Sequence, residues 1–187
     1  MTQHGSSLPA NTEAPQRLFF ALWPTDALRA ALARHAASWR FSPPARASAA
    51  DKLHLTLLFM DGVDAAACPA LDAIGARVAQ ASPAFDLCLD TVAVWPGGGI
   101  AHLAPSTVPT ALDTLHAALA AAVAGAGIPH DRRRFRPHVT VARRARADQA
   151  PPAFEPLRWH ADSLVLVRSV LGAGRYLVLG RWPLRSD

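Results

Sequence analysis

Two short segments of the sequence repeat one pattern of chemically useful side chains. Each segment has a histidine, an apolar residue, a threonine and a second apolar residue, at 54–57 (HLTL) and 138–141 (HVTV). The two histidines are 84 positions apart (138 minus 54), so one copy falls in each half of the 187-residue chain. This spacing is what a duplicated structural unit would produce.

Each copy of the motif predicts a strand that presents an imidazole beside a hydroxyl. Successive side chains in a strand point to opposite faces, so His54 and Thr56 share one face, as do His138 and Thr140. Two imidazoles with ordinary pKa values of about 6.5 can supply a base and an acid on opposite sides of an in-line displacement at phosphorus. Threonine hydroxyls can donate hydrogen bonds to the non-bridging oxygens. The pattern therefore suits a phosphodiester substrate.

Two other interpretations apply to histidines in strands: hydrogen bonding that only satisfies the sheet, and zinc coordination. Each motif offers a single imidazole, without Cys, Asp or Glu at the spacing of a metal ligand, so we expect no metal and no cofactor. The other histidines have no partner motif. Among them, His102 and His130 flank elements near the expected site.

The apolar patterns predict alternating strands and helices that would hold the motifs in place. In the first half they predict a strand at 17–23, a helix from Thr25, a strand at 52–60 that ends at Asp61-Gly62, and a helix within 64–81. In the second half they predict a hairpin around 95–99, a helix at 109–124, and strands at 138–142, 164–170 and 176–179. This mixture favours an α+β fold with largely antiparallel sheets.

Composition sets broad limits on the protein. With 51% hydrophobic residues, the chain can bury one generous domain or two small lobes. Residues 1–16 read as a flexible tail without a secretory signal, and residues 17–187 as a single domain. No apolar stretch is long enough to span a membrane, so we expect a cytoplasmic protein. The two cysteines give no disulfide framework.

The net charge of +5 comes mainly from arginine, because Lys52 is the only lysine among 19 basic residues. Seven arginines surround the second motif: Arg132, Arg133, Arg134, Arg136, Arg143, Arg144 and Arg146. They are either a solvated basic loop or a surface that follows an RNA backbone, whose binding would then depend on salt.

Around its two histidine and threonine motifs, the sequence resembles the two-histidine (2H) phosphoesterases. Within them it is similar to the bacterial RNA 2′,3′-cyclic phosphodiesterases, also called 2′-5′ RNA ligases. The two motifs define that family. The segment 17–21 (RLFFA) resembles its opening strand, 135–137 (FRP) precedes the second motif as in the family, and Tyr176 with 182–184 (WPL) resembles its closing strand. The resemblance covers residues 17–184.

The resemblance implies a bilobal fold, with two pseudo-symmetric lobes that each have an antiparallel sheet backed by helices and enclose a cleft. It also implies opening of terminal 2′,3′-cyclic phosphates to 2′-phosphates without metal or ATP. His138 would act as general base on water, and His54 as general acid on the departing 3′ oxygen. Thr56 and Thr140 would hold the phosphate, helped by Arg143.

The resemblance further implies RNA partners that end in a 2′,3′-cyclic phosphate, either tRNA-like or oligonucleotide, and we expect a monomer. Phe59, five residues after His54, is a possible wall for the terminal base, although strand alternation assigns it to the core face. The segment 99–102 (GIAH) departs from many relatives, which have a basic residue and then an aromatic residue there.

Other activities remain compatible with the same residues. The same chemistry could act on a small cyclic nucleotide, a sugar cyclic phosphate or a 2′,5′-linked oligonucleotide. A module that binds RNA ends without turnover is a third interpretation, although binding alone does not require two titrating groups. Ligation would be the reverse reaction, which microscopic reversibility permits with the same histidines.

Overall fold

The fold of this protein is given by a computed structural model, which describes residues 14–151, 153–170 and 174–186. Three α-helices lie in these ranges: α1 (Asp26–Ser38), α2 (Cys68–Ala81) and α3 (Thr110–Gly125). The strands are β1 (Gln16–Leu22), β2 (Arg46–Ala47), β3 (Leu55–Val63), β4 (Phe85–Leu89), β5 (Thr91–Trp95), β6 (Ile100–Ala104), β7 (Val139–Arg143), β8 (Leu157–Ala161), β9 (Ser163–Val170) and β10 (Arg175–Pro183).

One large sheet carries both motifs. Its strand order is β10-β9-β1-β3-β7-β6-β5, with β2 paired to β7, and every pairing between these strands is antiparallel. Strands β4 and β8 form a separate two-stranded sheet. The α+β prediction with largely antiparallel sheets is therefore confirmed.

The large sheet consists of two half-sheets that meet at a single residue pair. Strands β3 and β7 are joined only through Leu55 and Val139, whereas β1 pairs with β3 and β9 along its length. Each half-sheet thus contains one motif, as expected for a duplicated unit. The division into two lobes stays a prediction.

Local sequence signals account for where the helices begin. The side chain of Thr25 accepts a hydrogen bond from the backbone N–H of Leu28 at 3.3 Å, which caps α1. In α2, Pro69 lies in the first turn, where its missing N–H has no intrahelical partner to lose. Both starting points agree with the sequence prediction.

Close packing joins α2 to the last strand. A Cβ atom added to Gly75 of α2 would collide with the ring of Trp182 on β10, so only glycine permits this approach. The large core cluster includes buried side chains from both half-sheets and from all three described helices, among them Leu32, Leu71 and Leu112. The core thereby fixes the sheet that carries the motifs.

The structure corrects several predicted boundaries. Strand β3 does not end at Asp61-Gly62 but runs on to Val63, because Gly62 adopts a φ of +70° within an irregular stretch of the β1–β3 pairing. Strand β10 extends to Pro183, and β2 and β8 were not predicted. Both missed strands are too short or too mixed in polarity to stand out as an apolar pattern.

Most of the expected N-terminal tail, residues 1–13, lies outside the described residues, and Gln16 already belongs to β1. Within the described ranges, no helix is long and apolar enough to cross a membrane.

Candidate active site

The two motifs start at the junction between the half-sheets. Each histidine directly precedes a motif strand, and the residue after each histidine forms the single pair that joins β3 to β7, Leu55 with Val139. Extending this antiparallel register by one residue sets His54 opposite Thr140 and Thr56 opposite His138. The pairing therefore brings the two copies together in an approximately two-fold arrangement, and their polar side chains face one cavity.

Both imidazoles are anchored in the same way. The Nδ1–H of His54 donates to the carbonyl of Lys52 at 2.7 Å, and the Nδ1–H of His138 donates to the carbonyl of Arg136, also at 2.7 Å. In each case the acceptor lies two residues earlier in the chain. This bond fixes the neutral tautomer with the lone pair on Nε2, so Nε2 is the nitrogen that can accept a proton.

The cavity between the motifs, here called the motif cavity, has a volume of about 490 Å³. Its walls include Phe19, Phe59 and Tyr176, and its polar lining contains both histidines and both threonines of the motifs. Four cationic side chains also line it: Arg46, Lys52, Arg143 and Arg144. No carboxylate is among its described lining residues. This lining favours an anionic group beside the two imidazoles.

The imidazole of His54 lies among aromatic rings. It stacks on Phe19 and Trp23 at centroid distances of 4.8 and 5.6 Å, and the edge of Tyr176 approaches it at 5.4 Å. Burial against these rings, reinforced by the nearby positive charges, lowers the pKa of His54 to about 4, although its bond to Lys52 opposes the shift. His54 is therefore neutral in the free protein at pH 7. Its Nε2 accepts a hydrogen bond from the hydroxyl of Thr56 at 3.0 Å.

His138 has different neighbours. The ring of Trp95 lies 4.5 Å from it, and the imidazole of His102 lies 5.6 Å from it, nearly perpendicular. Burial lowers the pKa of His138, and the charges of His102 and Arg143 act in the same direction, whereas the bond to the Arg136 carbonyl raises it. Both motif histidines thus favour the neutral form.

A second cavity adjoins the first. This arginine cavity has a volume of about 520 Å³ and shares Thr56, Phe59 and His138 with the motif cavity. Its remaining polar and aromatic lining consists of Trp95, His116, Asp131, Arg133, Arg134, Phe135 and Arg136. The two cavities therefore lie next to each other, with these three residues at their border.

Within the arginine cavity, the arginines differ in their bonding. Arg133 pairs with Asp131, whereas no ion pair engages Arg134 or Arg136 among the described residues. The rings of His116 and Phe135 stack with centroids 4.0 Å apart. Exposed guanidinium groups beside stacked rings are features of surfaces that bind single-stranded nucleic acid.

The structure corrects the prediction for Phe59. Alternation along β3 assigned its side chain to the core face, but Phe59 lines both cavities and packs against the small cluster that contains Phe19 and Tyr176. The cause is a register shift in the β1–β3 pairing, where Phe20 pairs with Leu58 and the next residue, Ala21, pairs with Thr56. The extra residue, Leu57, reverses the alternation beyond it.

Most other predicted site residues line one of the two cavities. Arg143 lies in the motif cavity with the four motif side chains, and Arg133, Arg134 and Arg136 lie in the arginine cavity. Arg132 is exposed and lines neither cavity.

Several lining residues were not predicted from the sequence. Lys52 had a sequence signal, because it precedes His54 by two positions, as Arg136 precedes His138. Arg46 had no such signal, since only its pairing with Arg143 across β2 and β7 brings it to the cavity. Among the described residues, no group of three or more His, Cys, Asp or Glu side chains could hold a metal ion.

Comparison with known proteins agrees with this geometry. A family model described as "2′-5′ RNA ligase superfamily" matches residues 24–173. The RNA 2′,3′-cyclic phosphodiesterase of Escherichia coli (strain K12) is 35% identical over 177 residues, which cover 91% of this chain and 97% of that protein. The protein of the same name from Thermus thermophilus is 30% identical over 187 residues, with 91% of each chain covered.

The fold is similar to solved structures as well. The crystal structure of E. coli LigT complexed with 3′-AMP superposes with a TM-score of 0.81 at 33% identity, covering 91% of this chain and 98% of that one. The crystal structure of TT0787 of Thermus thermophilus gives a TM-score of 0.79 at 30% identity, covering 91% and 99% of the two chains. These likenesses extend over the part of the chain that contains both motifs.

Proposed function

The chain belongs to the 2′-5′ RNA ligase superfamily, and on this premise we propose that it hydrolyses the terminal 2′,3′-cyclic phosphate of RNA to a 2′-phosphate. One observation carries the proposal: two imidazoles, each fixed by an Nδ1–H bond to the carbonyl two residues earlier, line one cavity with two threonines and four cations. The two relatives named RNA 2′,3′-cyclic phosphodiesterase support the same reaction.

The cyclic phosphate binds in the motif cavity. Thr56 and Thr140 donate hydrogen bonds to its non-bridging oxygens, and Arg143 offsets its negative charge. These contacts become stronger as charge builds up on the oxygens in the transition state. The phosphate anion also favours a proton on a nearby imidazole, which counters the low pKa of His54 in the empty cavity.

Ring opening then needs one proton accepted and one donated. Nε2 of His138 takes a proton from water as the water oxygen bonds to phosphorus. The bond from phosphorus to the 3′ oxygen breaks on the opposite side, and protonated His54 donates its proton to that oxygen. The products are a 2′-phosphate and a 3′-hydroxyl. A protonated His54 is a strong acid because its surroundings disfavour the charged ring.

The RNA strand leaves the motif cavity through the arginine cavity. Arg134 and Arg136 neutralise backbone phosphates there, and the exposed Arg132 and Arg133 extend the positive surface. Phe59, which lines both cavities, provides an aromatic face for the terminal base. We expect a cytoplasmic enzyme with tRNA-like or oligonucleotide substrates. We also expect a monomer, because both motifs line one cavity of a single chain.

Hydrolysis of a defined RNA end tests this proposal. We would incubate the purified protein, with EDTA and without ATP, with a short RNA that ends in a 2′,3′-cyclic phosphate, and separate 2′- from 3′-phosphate products. Conversion to the 2′-phosphate, abolished in His54→Ala and His138→Ala but retained in His160→Ala, is the expected result. His160 is a matched control because it bonds to Asp86 on the separate small sheet. No turnover by folded protein, or a 3′-phosphate product, would refute the proposal.

A second substrate class follows from the size of the motif cavity. At about 490 Å³, it can hold a mononucleoside cyclic phosphate without the arginine cavity. Equal kcat/KM values for a cyclic mononucleotide and for the RNA would favour that compact substrate, whereas a clear preference for RNA supports the strand path through Arg134 and Arg136. The reverse reaction, joining a cyclic phosphate end to a 5′-hydroxyl, can be assayed with the same variants.

A further inference from the structure

One buried histidine beside the site, His102, has no part in the two proton transfers. His102 lies on β6, is 4% exposed, and pairs in register with Thr140 of the second motif. Residues directly opposite each other in an antiparallel pair share a face, so its side chain points to the same side as the motif residues. Burial of a titratable ring in direct contact with a catalytic candidate calls for an explanation.

The ring of His102 forms part of the wall behind His138. It lies 4.2 Å from the ring of Trp95 and 5.6 Å from the ring of His138, and Trp95 in turn contacts His138 at 4.5 Å. The three rings therefore pack in mutual contact. Together with the bond from Nδ1 to the Arg136 carbonyl, this packing restricts rotation of the His138 imidazole.

The proton state of His102 is also restricted. Its Nδ1–H donates to the carbonyl of Ile100 at 3.0 Å, so its neutral form carries the lone pair on Nε2. Among the described residues, no group bonds to that nitrogen. His102 can therefore take up a proton at Nε2, and the resulting charge would lie beside His138.

We propose that His102 is a positioning residue for His138: its ring, packed with Trp95, fixes the plane of the His138 imidazole, and its charge, once it gains a proton, keeps His138 in the neutral form that a base requires. The role assigned to His138 rests on the proposed function. The contact itself, and its effect on the proton affinity of His138, do not.

Other charged and titratable groups also face His138. They are His54 before β3, Arg143 at the end of β7, Asp131, Arg133, Arg134 and Arg136 in the loop before β7, and the other charged or titratable lining residues of the two cavities, Arg46, Lys52, His116, Arg144 and Tyr176. Among all the groups that face His138, only His102 combines ring contact with a charge that depends on pH, and burial lowers the pKa of His102, so this charge develops on the acid side of the ordinary histidine range. The charge of His102 lowers the pKa of His138, so an uncharged ring at position 102 must raise it.

The test is a titration of His138 in the free protein by NMR of its imidazole Cε1–Hε1 group. In His102→Phe, which retains an aromatic ring but cannot gain a proton, we expect the pKa of His138 to rise by about 0.5 to 1 unit. His130→Phe is the matched control: His130 also donates its Nδ1–H to a carbonyl two residues earlier, that of Ile128, and it lines neither cavity. It should leave the titration of His138 unchanged.

The activity of two variants separates packing from charge. His102→Ala removes the ring as well as the charge, and we expect kcat to fall about tenfold as the His138 imidazole gains freedom. His102→Phe should restore kcat, while its pH profile of kcat/KM moves to higher pH with the pKa of His138. A purely structural role would give a loss of stability without this shift.

An unchanged His138 titration in folded His102→Phe would overturn the charge effect, and full kcat in His102→Ala would overturn the positioning effect. If His102→Phe does not fold, the wild-type titration decides, because the His138 resonance must then show a second inflection at the pKa of His102. The NMR measurement needs no substrate. Failure of the proposed hydrolysis would therefore be distinguishable from failure of this inference.

Discussion

The two copies of the motif have the same anchors and different surroundings. Each histidine is held through Nδ1 by the carbonyl two residues earlier, at 2.7 Å in both copies. Around His54 the neighbours are the rings of Phe19, Trp23 and Tyr176, whereas His138 contacts Trp95 and a second imidazole. The motif thus determines where each reactive nitrogen points, and the neighbouring strands determine how readily it holds a proton.

This difference matters because a two-histidine mechanism needs one imidazole charged and the other neutral. A fully symmetric site would give both rings the same proton affinity and no preference between the two roles. Here the aromatic setting of His54 lowers its pKa to about 4, while the pKa of His138 responds to the charge of His102. The two rings therefore differ in proton affinity, and His54 becomes the charged partner only when the phosphate anion binds beside it and favours its proton.

The largest effect should come from removing either imidazole. His54→Ala and His138→Ala should each lower kcat/KM for a cyclic phosphate end by about 10²- to 10⁴-fold, because each variant loses one of the two proton transfers. The double variant should have a kcat/KM only slightly below that of the less active single variant, since the two proton transfers act as a unit. Steady-state kinetics with a fluorescent RNA would measure this. Multiplicative losses in the double variant would contradict coupled roles.

The threonines should have intermediate effects that differ between the copies. Thr140→Val removes a hydrogen bond to the phosphate and should cost about tenfold in kcat. Thr56→Val should cost more, because the hydroxyl of Thr56 also contacts Nε2 of His54, at 3.0 Å in the free protein, and so helps to orient the imidazole that donates the proton. Each variant keeps the shape of the side chain, so its thermal stability serves as the control. Equal losses from the two variants would argue against this difference between the motifs.

The aromatic neighbours of His54 should control its pKa. Trp23→Ala opens one face of the His54 ring to water, and the pKa should rise from about 4 towards its ordinary value of about 6.5. NMR titration of His54 would detect the change. Trp159 is a buried tryptophan on β8, and Trp159→Ala is the control for a general loss of packing. A His54 titration that shifts equally in both variants would reject a specific role of Trp23.

The lowered pKa of His54 should also appear in the pH dependence of stability. The unfolded chain binds a proton at His54 near pH 6.5, but the folded chain does so only near pH 4, so acid favours unfolding across this window. The free energy of unfolding should fall by up to ~3 kcal/mol between these pH values. Urea denaturation of the wild type and of His54→Gln would measure it. The variant should show a flatter profile, and identical slopes would contradict the burial of a neutral His54.

The smallest effect should come from the arginine cavity. Replacing Arg134 and Arg136 together by Gln should weaken RNA binding several-fold and reduce the salt slope of log K by about 1 to 2, because fewer counterions are released. Arg158 and Arg181, which line neither cavity, supply a double Gln variant with the same change of charge. If the salt slope is unchanged in the Arg134 and Arg136 variant, or falls equally in the Arg158 and Arg181 variant, Arg134 and Arg136 do not contact the RNA.

Much of the site followed from local sequence patterns. The strand setting of both motifs could be predicted because apolar alternation and the paired His and Thr residues lie within a few positions of one another. Phe59 was assigned to the wrong face, since the register shift that reverses β3 depends on its partner strand β1. The aromatic rings around His54 come from β1, the segment after it and β10, so no local pattern could predict that they surround His54.

The cationic lining shows the same limit. Arg143 adjoins its motif and was identified, whereas Arg46 reaches the cavity only because β2 pairs with β7. The contact between His102 and His138 likewise arises from the pairing of β6 with β7, across 36 positions (138 minus 102). Short motifs are visible in the sequence, but the neighbours that tune them come from long-range strand pairing.

The division of roles between His54 and His138 can be tested directly with a leaving group that needs no proton. In a cyclic substrate with sulfur in place of the 3′ oxygen, the leaving group departs as a thiolate. Hydrolysis of this substrate therefore needs the general base but not the general acid. We expect this substrate to restore most of the activity of His54→Ala and little of that of His138→Ala. Rescue of His138→Ala instead, or equal rescue of both variants, would contradict the assignment of acid and base to the two copies.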